Sequence, residues 1–125
     1  MCGIVGSIHT KFNLGQALSK IKHRGPDADG IYENNEVQFG HARLSIIDLT
    51  NGSNQPFVNE ATGSVLVFNG EIYNYLEIKA DLEKQGCQFS TQSDAEVLLQ
   101  AYAYYGEQCL SYLDGMWAFC IFDRE

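Results

Sequence analysis

Two wholly apolar stretches, residues 65–68 and 116–122, bracket a segment whose signals are helical. A chain that gathers its strands on either side of two consecutive helices is not strictly alternating. It builds sheets with a helical layer on one face, an α+β arrangement. In residues 75–85, Tyr75, Ile78 and Leu82 share one helical face, and Gly86 is placed to end it. The second helix opens on Ser93-Asp94-Ala95-Glu96, an S-x-x-E capping box, runs through Val97, Leu98, Ala101, Tyr102 and Tyr105, and stops at Gly106. Residues 108–113 read as one further helical turn, and residues 116–122 as a buried strand.

Ahead of this block, residues 3–9 alternate and are rich in β-branched side chains, so a strand starts almost at the first residue. Residues 13–21 fit a short helix. HRGPDADG, residues 23–30, reads as a turn-forming loop. Residues 31–32 and 37–44 form a hairpin around Asn34-Asn35, and residues 45–59 read as irregular. The strand at 65–68 runs into Asn69-Gly70.

The 125 residues are enough for one core. Sixteen acidic residues against eight basic ones give a net charge of −8, which opposes nucleic-acid binding and polybasic membrane attachment. Most of that excess lies in residues 63–125 and reads as a solvated face. No apolar run reaches the 18 or so residues of a membrane span, and the N-terminus lacks the basic n-region and long h-region of a signal peptide. The four cysteines form no CxxC pair, so free thiols in a reducing cytoplasm are expected. His9, His23 and His41 have no metal-ligand spacing with any cysteine. No glycine-rich phosphate loop is present, so neither metal nor nucleotide is expected.

Cys2 carries the most chemical information. An initiator Met before a small residue is normally removed, which would leave Cys2 with a thiol and a free α-amine. An α-amine has a pKa near 8 and can assist its own side chain as a nucleophile. Read alone, Cys2 is also what a small core residue at the start of a strand looks like. Asn69-Gly70, at the end of an apolar strand, can offer a side-chain amide beside an unhindered N–H, the material of an oxyanion hole, or can be an ordinary turn. Arg43, in HARLSII, suits bidentate capture of a carboxylate, or a surface ion pair. Asp94 stands in the first turn of a helix, where the dipole favours a carboxylate in any case. An Arg and an Asp together can grip a free amino acid by its carboxylate and its ammonium.

Taken together and in order, these segments resemble the N-terminal glutaminase domain of asparagine synthetases, class II glutamine amidotransferases of the N-terminal-nucleophile hydrolase type. The matching stretches are MCGIVG at 1–6, HRGPDADG at 23–30, HARLSIIDL at 41–49, NQPF at 54–57, VFNGEIYNY at 67–75, SDAEVLL at 93–99 and LDGMWAFCIFD at 113–123. The resemblance covers residues 1–125. It implies an αββα sandwich of antiparallel sheets, short of its C-terminal strands, and hydrolysis of glutamine to glutamate and ammonia. Cys2 would be the nucleophile, and Asn69 and Gly70 would hold the oxyanion. Arg43 would take the α-carboxylate. Asp94 would take the α-ammonium, helped by backbone groups of Gly70 and Glu71. His23, Arg24 and Asp27 would have a structural part. No cofactor is implied for this domain; ATP and Mg belong to a synthetase domain that would receive the ammonia. A homodimer is left open, as are a truncated or degenerate domain that binds a ligand or partner without turnover and the glutaminase domain of another class II amidotransferase.

Overall fold

The computed structural model describes residues 1–124. Six strands form two three-stranded antiparallel sheets. The first sheet has β1 (Gly3–Ile8) and β2 (Ala28–Glu33) on either side of β3 (Val37–Arg43). The second has β4 (Phe57–Val58) and β6 (Gly115–Phe122) on either side of β5 (Val65–Ile72). Helix α1 (Leu14–Ile21) covers the outer face of the first sheet. Helices α2 (Tyr75–Lys84) and α3 (Asp94–Tyr105) cover the outer face of the second. The layers are therefore helix, sheet, sheet, helix, as the resemblance implies.

Strand periodicity divides β5 between two cores. Val65 and Val67 face inward, against Val37 and Phe39 of β3. Leu66, Phe68 and Ile72 face outward onto Ile78, Leu82, Leu98 and Ala101 of the helices. Complete burial of side chains such as Leu66, Ile72 and Leu82 contributes about 1.5–3 kcal/mol each. On the other side, Leu14 and Leu18 of α1 are buried, and the bare Cα of Gly40 admits them: a Cβ there would lie 3.0 Å from Leu18.

Local chemistry sets the boundaries. Asn13 caps α1, its Oδ1 accepting from the N–H of Gln16 at 2.8 Å. Asn34 turns the β2–β3 hairpin by accepting from the N–H groups of Glu36 and Val37, both at 2.8 Å. Gly86 and Gly106 lie at φ +93° and +59°, which ends α2 and α3 where the sequence predicts.

Several expectations need correction. HRGPDADG is not a loop throughout, because Ala28, Asp29 and Gly30 already pair with Arg43, Ala42 and His41 in the sheet. Residues 57–58 form β4 inside the stretch read as irregular. Asn69-Gly70 is not a turn. The strand continues to Ile72, and β6 approaches so closely that a Cβ on Gly70 would lie 2.4 Å from the Met116 carbonyl oxygen. The capping box is also altered. Ser93 accepts from Ala95 N–H, but Glu96 reaches past it to the N–H and hydroxyl groups of Ser90 and Thr91 at 2.6–2.8 Å. Burial works against the charge of Glu96, yet these bonds together outweigh it and hold the carboxyl below its usual range. Finally, β6 is not a buried strand. Among the described residues it pairs only with β5, and Met116 and Trp117 are 63% and 38% exposed.

Candidate active site

A cavity of about 90 Å³ opens at one end of the sandwich, between the two sheets and the start of α3. At about 10–15 Å³ per water, that holds several waters, the scale of one small metabolite. Its walls include Cys2, Arg43, Gly70, Glu71 and Asp94, five of the six residues singled out in the sequence. They come from β1's approach, β3, β5 and α3, elements that only the fold brings together.

The thiol of Cys2 is fixed by one backbone residue. Its Sγ accepts from the N–H of Leu44 at 3.3 Å and donates to the Leu44 carbonyl at 3.6 Å. Arg24 donates from Nε to the Cys2 carbonyl at 3.0 Å, and Asp27 accepts from the N–H of Ser45 at 2.8 Å. The 23–27 loop therefore holds both the nucleophile candidate and the segment behind it. In this structure Met1 precedes Cys2, so the Cys2 nitrogen lies in a peptide bond, and Met1 itself lines the cavity.

Gly70 owes its place to the shortness of β4. Because β4 pairs only with Val65 and Leu66, the edge of β5 beyond it has no strand partner on that side. In an antiparallel strand alternate residues direct N–H and C=O to the same side. On this side Phe68 donates its N–H to Oε1 of Gln55 at 2.7 Å, and its carbonyl accepts from Nε2 of His41 at 3.1 Å. Ile72 donates its N–H to Oδ2 of Asp94 at 3.1 Å. Gly70 stands between them, so its N–H is directed into the cavity. Asn69 is set back from the cavity wall, with its Oδ1 buried and unpartnered. The carbonyl of Glu71 points at Gly115, where a Cβ would lie 2.1 Å from it. Glu71 is nevertheless part of the cavity wall.

Arg43 is 7% exposed, and its guanidinium meets only neutral oxygens. Nη1 donates to the Thr50 carbonyl and to Oδ1 of Asn54, both at 2.7 Å, and Nη2 donates to the Asp48 carbonyl. Three of its five N–H donors are engaged, leaving two. The ion pairs among the described residues are Lys11–Glu33 and Lys84–Asp81, and Arg43 belongs to neither. A buried cation held by dipoles alone keeps its charge available for an anion. Asp94 is 6% exposed. Burial pushes its carboxyl up from the ordinary range, the N–H groups of Ile72 and Ala95 partly offset this, and the charge of Glu71 adds to the rise. A cation beside it would favour the ionised form.

Three other residues shape the wall and escaped the sequence reading: His41, Asp48 and Gln55. Burial, offset by the bond to Phe68 and reinforced by the charge of Arg43, lowers the pKa of His41 to about 4, so the ring is neutral near pH 7. Among the described residues no group of three or more His, Cys, Asp and Glu side chains is placed to hold a metal ion.

A thiol, an unpaired guanidinium, a buried carboxyl and a strand-edge N–H surround one cavity on an αββα sandwich, the arrangement of layers of the N-terminal-nucleophile hydrolase fold. Residues 1–125 match the glutamine amidotransferase domain family, and the chain belongs to that family. It is 45% identical to an asparagine synthetase [glutamine-hydrolyzing] 1 of Bacillus subtilis over 99% of its own length and 21% of the relative's. It is 39% identical to asparagine synthetase B [glutamine-hydrolyzing] of Escherichia coli over its full length and 24% of that protein. Among solved structures, glutamine phosphoribosylpyrophosphate amidotransferase of B. subtilis superposes with a TM-score of 0.59 at 28% identity, over 72% of this chain and 22% of that one. The chain thus spans about a fifth to a quarter of the length of these relatives.

Proposed function

We propose that this chain hydrolyses the side-chain amide of glutamine to glutamate and ammonia. The observation that carries this reading is the grouping of the Cys2 thiol with a buried, unpaired Arg43 and a buried Asp94 around a cavity of metabolite size. Arg43 takes the α-carboxylate with its two remaining N–H donors, and Asp94 takes the α-ammonium. The side-chain amide then reaches Cys2. Once Met1 is removed, the α-amine of Cys2 accepts the thiol proton, directly or through water, and Sγ attacks the amide carbon. The N–H of Gly70 receives the developing oxyanion, joined by the side-chain amide of Asn69, which turns toward the cavity for the purpose. The proton passes to the leaving nitrogen, ammonia departs and a glutamyl thioester remains. Water then releases glutamate and restores the thiol.

In the longer enzyme to which such a domain would belong, the ammonia serves an ATP- and Mg-dependent synthetase portion that converts aspartate to asparagine. The resemblance to asparagine synthetases supports this. No cofactor acts in the present residues on this reading. The free thiols of Cys2, Cys87, Cys109 and Cys120 support a reducing compartment, the cytoplasm.

Ammonia release from glutamine is the test. The chain processed to Cys2 is expected to release it, and Cys2→Ala to abolish release. The chain that retains Met1, shown by intact mass, is expected to be inactive because its amine is an amide. A processed, folded chain that binds glutamine without turnover would overturn the reading.

A further inference from the structure

Arg43 and Asp94 belong to different layers, the end of β3 and the start of α3, and no bond between them is present. One residue connects both. The Oδ1 of Asp48 accepts the N–H of Thr50 at 2.8 Å, and its Oδ2 accepts the N–H of Gln92 at 3.0 Å, 44 residues away in the chain. The first bond curls residues 48–50 so that the carbonyls of Asp48 and Thr50 both face the guanidinium of Arg43. The second anchors the chain two residues before Asp94. Asp48 is 9% exposed.

The chemistry of the residue fits this position. Both oxygens must accept from N–H groups, which a carboxylate does and an amide does with one oxygen only. Hydrogen bonds led by those of Thr50, with Gln92 adding, hold the Asp48 carboxyl well below the usual carboxylate range, so it stays ionised. Its charge is spent on these N–H groups. Arg43 sees the Asp48 carbonyl rather than its carboxylate and remains unneutralised for a ligand.

We propose that Asp48 is a positioning residue that sets the spacing between Arg43 and Asp94, and so selects substrates with a carboxylate and an ammonium on one carbon. This rests on the reading of the cavity as a glutamine site.

The test compares the chain processed to Cys2 with Asp48→Ala and Asp48→Asn. Glutamine and glutaramate, which lacks the α-ammonium, are the substrates, and alkylation by iodoacetamide, followed at the Cys2 peptide by mass apart from Cys87, Cys109 and Cys120, reports the nucleophile separately from binding. Asp48→Ala is expected to raise KM for glutamine about tenfold or more, with kcat and the alkylation rate within about twofold of the parent. The preference for glutamine over glutaramate should shrink in step. Asp48→Asn keeps one acceptor and should raise KM about threefold; it carries the test if the alanine variant does not fold. An unchanged KM, or a fall in kcat and alkylation without a rise in KM, overturns the proposal alone. A parent chain that releases no ammonia overturns the glutamine reading as well.

Discussion

Nε2 of His41 lies 3.1 Å from the carbonyl oxygen of Phe68, and this bond ties the central strand of one sheet to the central strand of the other. Because a carbonyl only accepts, Nε2 carries the proton and Nδ1 is bare, buried and unpartnered. The bond fixes β5 one residue before Asn69 and two before Gly70.

The neutral state of this ring has a consequence for stability. Its folded pKa, about 4, lies below the ordinary value of 6.5, so between these values the unfolded chain binds more protons. Stability from this group is complete above about pH 6.5 and is lost as pH falls toward 4, by about 3 kcal/mol at most. Asp94, whose carboxyl is pushed up, works in the opposite direction, destabilising the fold as pH rises through its own titration. The comparison that isolates the histidine is therefore His41→Gln against the parent. Urea midpoints measured from pH 7.5 to 4.5 should fall less steeply in the variant, and parallel curves would refute the assignment.

Arg43 should act on binding more than on the chemical step. Its two remaining donors meet a carboxylate in a buried setting, where a charged hydrogen bond contributes about 1.5–3 kcal/mol. Arg43→Ala should raise KM for glutamine by roughly one to two orders of magnitude with a smaller change in kcat. Arg43→Lys should recover only part, since an ammonium does not reproduce the planar fork that also holds Thr50, Asn54 and Asp48. Steady-state glutaminase kinetics distinguish the two effects; an unchanged KM in Arg43→Ala removes the carboxylate role.

These residues differ in how far the sequence discloses them. Cys2, Arg43 and Asp94 are legible because their side chains have a chemistry that few roles use, and they stand beside strong local signals: the first strand, an apolar strand and a capped helix. His41, Gln55 and Asp48 are not, because each acts on a backbone group 27, 13 or 44 residues away. No local pattern encodes that distance. The helices were legible from spacing and their glycine stops. The exposure of β6 is not legible for a different reason: seven consecutive apolar residues resemble a strand covered on both faces, whereas among the described residues β6 lies at a sheet edge. Asn-Gly favours turns, so the sequence leaves a turn open at Gly70; the close passage of Met116 and Trp117, absent from any local window, keeps it in the strand.

That close passage makes Gly70→Ala informative. The added Cβ would lie 2.4 Å from the Met116 carbonyl oxygen and 2.6 Å from the Trp117 Cα, both backbone atoms that cannot rotate away. Strands β5 and β6 must separate, at about 1–3 kcal/mol for forced overpacking. The N–H proposed for the oxyanion moves with them, so kcat should fall by roughly 10²–10³. Chemical denaturation and kcat measured on the same sample report the two losses. A variant that is destabilised but keeps its kcat would remove Gly70 from the oxyanion role.

Packing on the helical side gives a prediction independent of the site. Leu82 is fully buried between α2, α3 and β5. Leu82→Ala leaves a cavity lined by side chains anchored in three elements, which limits collapse, so the loss should be about 2–5 kcal/mol. Urea unfolding should show it as a lower midpoint at unchanged slope. KM for glutamine, set on the other side of β5, should stay within about twofold. A loss under about 1 kcal/mol would mean that the helices close over the gap and are less firmly seated than their buried faces indicate.

The edge of β6 should govern association. It is eight residues long, pairs with β5 alone among the described residues, and exposes Met116 on one face and Trp117 on the other. Such an edge offers unpaired backbone groups and an apolar surface at once, the combination that sheet proteins ordinarily blunt with charge. Trp117 lies against Phe119 at 5.3 Å between ring centroids, so an aromatic surface runs along the outer face of the strand, while Met116 faces the cavity side. The chain should therefore self-associate as its concentration rises, and Trp117→Lys, which places a charge mid-edge, should shift it toward monomer. Sedimentation velocity over roughly a hundredfold range of concentration measures this directly. The net charge of −8 opposes association through long-range repulsion, so added salt should strengthen self-association in the parent. A parent that stays monomeric across the range, at low and high salt alike, would show that the twist and side chains of β6 already protect its edge.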